Sequence, residues 1–120
     1  MVQLFRAENS EGIPRSGYSA RYIADVKFRT KIESGGFILV TIPTGTSSTP
    51  HSHVELEEVF VALSEVELHV NDTILHLSLG DTVIVEPGEN HSFRGIGHSD
   101  SIILAIKFPN IKDDKIVPSS

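Results

Sequence analysis

Short apolar stretches recur along the chain between turn-forming residues, and no helical stripe is sustained anywhere. The pattern predicts strands over residues 22–28, 37–42, 59–63, 66–70, 73–77, 82–85, 91–94 and 102–108. Ser34-Gly35-Gly36, Pro43-Thr44-Gly45, Asn71-Asp72, Leu79-Gly80-Asp81, Pro87-Gly88 and Gly95-Ile96-Gly97 stand between them. Strands at this spacing point to an all-β sandwich or barrel and away from a βαβ fold. One hairpin can be placed in register. Asn71 and Asp72 both tolerate positive φ and make a two-residue loop. Val70 then pairs with Thr73, Leu68 with Leu75 and Val66 with Leu77, a largely apolar face. His69 opposite Ile74 and Glu67 opposite His76 form the wetter one. Residues 8–17 read as loop, and residues 109–120 as a polar tail.

With 120 residues, the chain is the size of one domain. Ten Lys and Arg against sixteen Asp and Glu give a net charge of −6. Such a surface repels phosphate backbones, so nucleic acid is not an expected partner. There is no cysteine, which excludes disulfides, thiolate metal sites and thiol nucleophiles. No run of eighteen apolar residues suggests a membrane span, and the first residues lack the pattern of a secretory signal. The expectation is a cytoplasmic protein.

Six histidines are many for this length, and their placement is uneven. His51 and His53 are two apart, so on an extended strand both imidazoles share a face and can chelate one ion. Glu58 adds a carboxylate, and His91 comes from a distant strand. Three neutral nitrogens and one oxygen anion suit Mn, Fe, Co, Ni, Cu or Zn, and suit Ca or Mg poorly. Phe60 and Ala62 share parity with Glu58, and Phe93 with His91. If the ligands point inward, these three line the same cavity.

Gly45-x5-His51-x-His53-x4-Glu58 resembles the first motif of the cupin superfamily, and Gly80 through Pro87-Gly88-x2-His91 resembles the second. The stretch Glu57-Glu58-Val59-Phe60-Val61-Ala62-Leu63 is similar to that of small single-domain cupins. The resemblance spans residues 36–108, with an N-terminal arm over 1–35. It implies a double-stranded β-helix, or jelly-roll barrel, holding one divalent metal on His51, His53, Glu58 and His91. It also implies a homodimer, often through N-terminal strands; Leu4-Phe5 and residues 22–28 carry apolar side chains that fit such a contact. Three positions depart from the family pattern: Glu65 for Gly, Glu86 for Pro and Gly95 for Asn. None is a metal ligand, so the departures bear on turn geometry.

Several residues carry a second reading. Glu57 could replace Glu58 as ligand, and otherwise is a solvated residue. His69 and His76 fit the outer face of the hairpin, Glu67 being a cross-strand partner of His76. His98 fits an exposed loop. Arg94 could orient an anion, but its parity is opposite to that of His91. Tyr18, Tyr22 and His76 are the candidates for a general acid or base. The functional expectation is a metal-dependent enzyme on a small oxygenated molecule, such as a sugar, keto-acid, hydroxy-acid or enediol. Dioxygenase-type and isomerase, cyclase or lyase chemistry are equally compatible, since one fold hosts many reactions. The alternative is a non-catalytic cupin that binds or senses a small ligand through its metal.

Overall fold

A φ of 51° at Asn71 turns the chain between the strands Val66–Val70 and Thr73–Leu77. The pairing is the predicted one: Val66 with Leu77, Leu68 with Leu75, Val70 with Thr73. Val66, Leu68, Val70 and Leu77 are buried, so this face looks into the core. The structure is a computed structural model that describes residues 2–14, 16, 19–28, 31–111 and 113–118. Its strands are β1 (Gln3–Phe5), β2 (Gly12–Pro14), β3 (Ser19–Arg21), β4 (Gly36–Ile42), β5 (Ser52–His53), β6 (Glu57–Ala62), β7 (Val66–Val70), β8 (Thr73–Leu77), β9 (Thr82–Val85), β10 (His91–Gly95), β11 (Ser101–Phe108) and β12 (Lys115–Ile116).

Two sheets face each other and do not close. One has the order β1-β9-β6-β11-β4, the other β10-β7-β8, and all neighbours are antiparallel. Short pairs β12-β5 and β2-β3 stand outside them. Side chains alternate between faces along each strand. Phe60 and Ala62 of β6, Ile103 and Ala105 of β11, and Val83 and Val85 of β9 therefore point inward together. There they meet Val66, Leu68, Val70 and Phe93 of the opposite sheet. No helix among the described residues is long and apolar enough to cross a membrane.

Three segments differ from expectation. Residues 22–28 form no strand. Tyr22 is 69% exposed. Phe28 instead stacks on Phe108 with ring centroids 4.9 Å apart. Within the expected loop, Ala7–Asn9 is a 3-10 turn, and β2 pairs with β3. The expected tail contains β12, which pairs with β5 through Lys115 opposite His53. Leu4, expected to serve a dimer contact, packs against the chain's own core as β1 pairs with β9.

The departures at Glu65 and Gly95 have local explanations. Glu65 is exposed, and Asn71 is the sole non-glycine with positive φ among the described residues, so Glu65 needs no glycine-like freedom. Gly95 lies where the chain after β4 crosses β10. Its N–H donates to the Thr46 carbonyl at 2.9 Å, and its carbonyl accepts from the Gly45 N–H at 2.9 Å. A Cβ there would collide with the Pro43 carbonyl oxygen, so the asparagine of the family pattern has no room.

Candidate metal centre

His51 and His91 form an antiparallel bridge. The His51 N–H donates to the His91 carbonyl at 3.0 Å, and the His91 N–H donates to the His51 carbonyl at 2.8 Å. Their rings lie 4.5 Å apart. His53 is reached after one intervening residue and sits 5.0 Å from His51 and 5.5 Å from His91 by ring centroid. The turn at Pro87-Gly88 supports this arrangement: Gly88, at φ 83°, donates its N–H to the His53 carbonyl at 2.8 Å. Glu58 enters from the other sheet near the start of β6. One donor atom from each of His51, His53, Glu58 and His91 lies within 4.8 Å of the others.

The buried polar atoms of this cluster are orphaned. Glu58 Oε1 stands 2.6 Å from His53 Nε2 and 3.2 Å from His91 Nε2. None of these three atoms makes an aligned hydrogen bond. Buried polar groups are ordinarily paired, and leaving several unpaired together costs a few kcal/mol, ~1–3 for each. Backbone carbonyls hold the other nitrogens of two rings: Glu89 accepts from His91 Nδ1 at 3.0 Å, and Thr49 lies 3.3 Å from His51 Nδ1. A carbonyl can only accept, so His91 Nδ1 carries a proton and Nε2 is the nitrogen turned to the cluster. This is the outer support metal-binding histidines typically have. The donor set fits a divalent first-row ion.

Electrostatics favour the ligand forms of His51 and Glu58. Burial lowers the His51 pKa to about 4, with His91 and Lys115 adding to the effect, so the ring is neutral at pH 7. Burial alone would raise Glu58, but the His53 and His91 imidazoles outweigh it and bring its pKa down to about 2.

Above the cluster opens a cavity of about 240 Å³. Its walls include Ile38, Val40, Phe60, Phe93 and Ala105, with His51, Glu58 and His91 at its base. Phe60 and Phe93 meet edge to face at 4.9 Å. Of the residues expected to line this space, Ala62 does not. It is fully buried one alternation further along β6, near the opposite end of the sandwich.

Other expectations move as well. Glu57 is 4% exposed, not solvated: it faces away from Glu58, opposite Phe108, on which Phe28 stacks. Glu67 lies opposite His76 in register, but its carboxylate meets His69 at 2.6 Å, and His76 meets Glu65 at 2.8 Å. His76 and Tyr22 are both away from the cavity, Tyr18 lies outside the described residues, and His98 and Arg94 are exposed.

Three residues of the site escaped the sequence reading. Lys107 lies opposite Glu58 on β11, and the alternation of that strand could have revealed it. Lys115 and Asp114 arrive from the expected tail. Asp114 accepts from the Glu55 and Leu56 N–H groups at 2.8 and 3.0 Å, and its carbonyl accepts from the Val54 N–H at 3.2 Å. Those bonds pin the link between His53 and Glu58. No local sequence signal announces a contact across so many residues.

The cupin domain profile matches residues 38–107. The chain belongs to the cupin family. Solved structures agree on the fold. A protein with a double-stranded β-helix domain from Klebsiella pneumoniae is 20% identical, with 77% of this chain and 81% of that one covered and a TM-score of 0.65. A dTDP sugar isomerase from Desulfovibrio desulfuricans is 11% identical over 98% of this chain and 83% of its own, with a TM-score of 0.69. A predicted oxalate decarboxylase from Thermotoga maritima is 28% identical over 61% of this chain and 64% of its own, with a TM-score of 0.57. No curated protein sequence matches the chain.

Proposed function

We propose that this cupin is a metal-dependent enzyme acting on a small oxygenated molecule. The observation that carries the reading is the convergence of His51, His53, Glu58 and His91, with orphaned donor atoms, three of them (His51, Glu58 and His91) lining a cavity. One divalent ion, Mn, Fe, Co, Ni, Cu or Zn, would be held by these four side chains. When bound, it supplies Lewis acidity or a redox centre for a substrate that chelates through adjacent oxygens. The protein's own part is to keep His51 neutral, hold the His91 and His51 rings through Glu89 and Thr49, and surround the reacting end with Phe60 and Phe93. The likeness to a sugar isomerase and to a predicted oxalate decarboxylase is compatible with isomerase, lyase or dioxygenase-type chemistry on sugars, keto-acids or hydroxy-acids.

A non-catalytic binding or sensing role is the second reading. One observation favours it: beyond the ligand set, the titratable side chains of the described cavity lining are Lys107 and Lys115, whose charge suits holding an anion. Metal analysis of protein purified without added metal or chelator tests the shared premise, and close to one equivalent of transition metal is expected. Protein that is metal-free and refuses all six ions on titration refutes both readings. An oxygen-consumption and product screen on sugars, keto-acids and hydroxy-acids then separates enzyme from binder.

The chain also fits a homodimer. Phe37 and Leu39 of the edge strand β4 are 70% and 66% exposed on the outer face of the larger sheet, beside Leu104 and Ile106. An apolar edge of this kind invites pairing with a second copy. Light scattering should give about twice the 13.1 kDa chain mass, and the Phe37→Asp, Leu39→Asp double variant should give the monomer. A monomeric wild type at micromolar concentration rejects the dimer.

A further inference from the structure

Two lysines stand at the cavity without an ion-pair contact to any described residue. The register puts Lys107 opposite Glu58 on the neighbouring strand, both side chains on the inner face. Pairing of β12 with β5 brings Lys115 opposite His53 and onto the rim. Lys107 is half-buried and Lys115 exposed. Neither makes a hydrogen bond or ion pair with any described residue. That is unusual in a chain of net charge −6, where carboxylates outnumber cations. Glu58 is the sole carboxylate among the described lining residues, and its inner oxygen faces His53 and His91. Cations that converge on a cavity and form no ion pair with a described residue are placed to meet an anion from outside.

The remaining wall limits what that anion can be. Ile38, Val40, Phe60, Phe93 and Ala105 offer apolar surface, and Ser48 is already bonded to the Phe93 N–H at 2.7 Å. A free sugar would bring many hydroxyls and find few partners, and each buried hydroxyl left unpaired is penalised. The volume of about 240 Å³ is below the range of about 300–1,000 Å³ of drug-sized sites. A nucleotide-linked sugar is too large to be enclosed there.

We infer that Lys107 and Lys115 form an anion-binding rim that selects small carboxylates with an apolar body, such as branched 2-oxo or 2-hydroxy acids. This rests on the proposed function only in taking the cavity as the ligand site. The lysines select the negative charge, and Ile38, Val40 and Phe93 receive the hydrocarbon end. Arg94, which its sequence position had offered for that role, points elsewhere.

Calorimetric titration of 3-methyl-2-oxobutanoate tests the inference, using protein as purified and protein stripped with chelator. The neutral amide of the same acid is the control. Lys107→Met should weaken binding of the acid about tenfold or more, and Lys115→Met a few-fold, because a half-buried charge contributes more than an exposed one. Lys107→Arg should keep most of the affinity, the amide should bind weakly to every variant, and salt should weaken the acid alone. The lysine effects should survive removal of metal. Wild-type protein that ignores the acid, acid and amide binding equally, or the double lysine-to-Met variant binding like wild type each overturn the rim. Metal binding with no lysine effect removes this inference and leaves the proposed metal centre standing. A lysine effect in a protein that takes up no metal does the reverse.

Discussion

Asp81 and Glu58 are both buried carboxylates, near opposite ends of the same pair of strands, and they are built in opposite ways. Asp81 immediately precedes β9. Its oxygens accept from the Ala7 N–H at 3.0 Å, the Ser78 N–H at 2.9 Å and the Arg6 guanidinium at 2.8 Å. Burial alone would raise its pKa, and these donors more than reverse that. Glu58 faces two imidazoles, and its Oε1 makes no aligned hydrogen bond. One carboxylate is fully satisfied by the chain and ties the N-terminal segment to the sheet. The other is left with bonding capacity directed at a shared point. A fold that satisfies its polar groups everywhere except one end marks that end for a ligand.

The largest effect that could break this contrast is on metal affinity. Glu58→Gln removes the single anionic donor. It should weaken metal binding by more than the roughly 10–100-fold typical of losing an outer-shell partner. Glu57→Gln should leave affinity unchanged, since Glu57 faces away from the cluster. Competition titration against a chromogenic chelator measures both. If the two variants exchange behaviours, the assignment of ligand along β6 is wrong.

Next in size is folding stability, where the order of the two ends reverses. Asp81→Ala strips the Ala7 and Ser78 N–H groups of their acceptor and takes the carboxylate from the half-buried Arg6, which keeps the His76 carbonyl. It should lower stability by about 3 kcal/mol and leave metal affinity as it was. Glu58→Gln in metal-free protein should cost less than this. Urea denaturation followed by fluorescence or circular dichroism reads the difference. A larger loss at Glu58 than at Asp81 would mean that Glu58 is a structural group first.

The two ends also differ in how far the sequence exposes them. The central strands and the hairpin register were legible because alternation and turn chemistry act over a few residues: Val66–Val70, Thr73–Leu77 and Thr82–Val85 fall where the pattern puts them. His51, His53, Glu58 and His91 were legible as a set because their spacing matches a family motif, and the fold brings the four together. What failed was long-range. Residues 22–28 have strand-like side chains but pair with no strand of either sheet. Lys115 and Asp114 look like tail until β12 finds β5, a pairing that depends on where the rest of the chain has already gone. Glu57 and Glu58 are neighbours of the same type, and only the pleat decides which faces the cavity.

The smallest expected effect, and the sharpest on the comparison, is the pH window in which each end weakens. In the folded metal-free chain, His51 has a pKa of about 4 against 6.5 for an ordinary histidine. Between those values the unfolded chain binds a proton that the folded chain refuses, so acid favours unfolding. The contribution of His51 is whole above pH 6.5, declines as the pH falls toward 4, and changes no further below that. Glu58, at about 2 against 4.5, begins to lose its contribution only below 4.5. Asp81 is lowered from 3.8, so its contribution is intact above that value and is lost as the pH falls through its folded pKa. The end at His51 and Glu58 therefore weakens first, and the end at Asp81 holds until strong acid. Melting temperatures of metal-free protein at half-unit steps from pH 7.5 to 3 should show a shallow early decline below 6.5. His51→Gln should remove that early part and leave the acid limb below 4 in place. With metal bound, imidazoles are withheld from protons, so the wild-type decline should start at lower pH. If His51→Gln leaves the early decline untouched, His51 is not held neutral by the fold, and the end at His51 and Glu58 is less preorganised for a cation than its geometry implies.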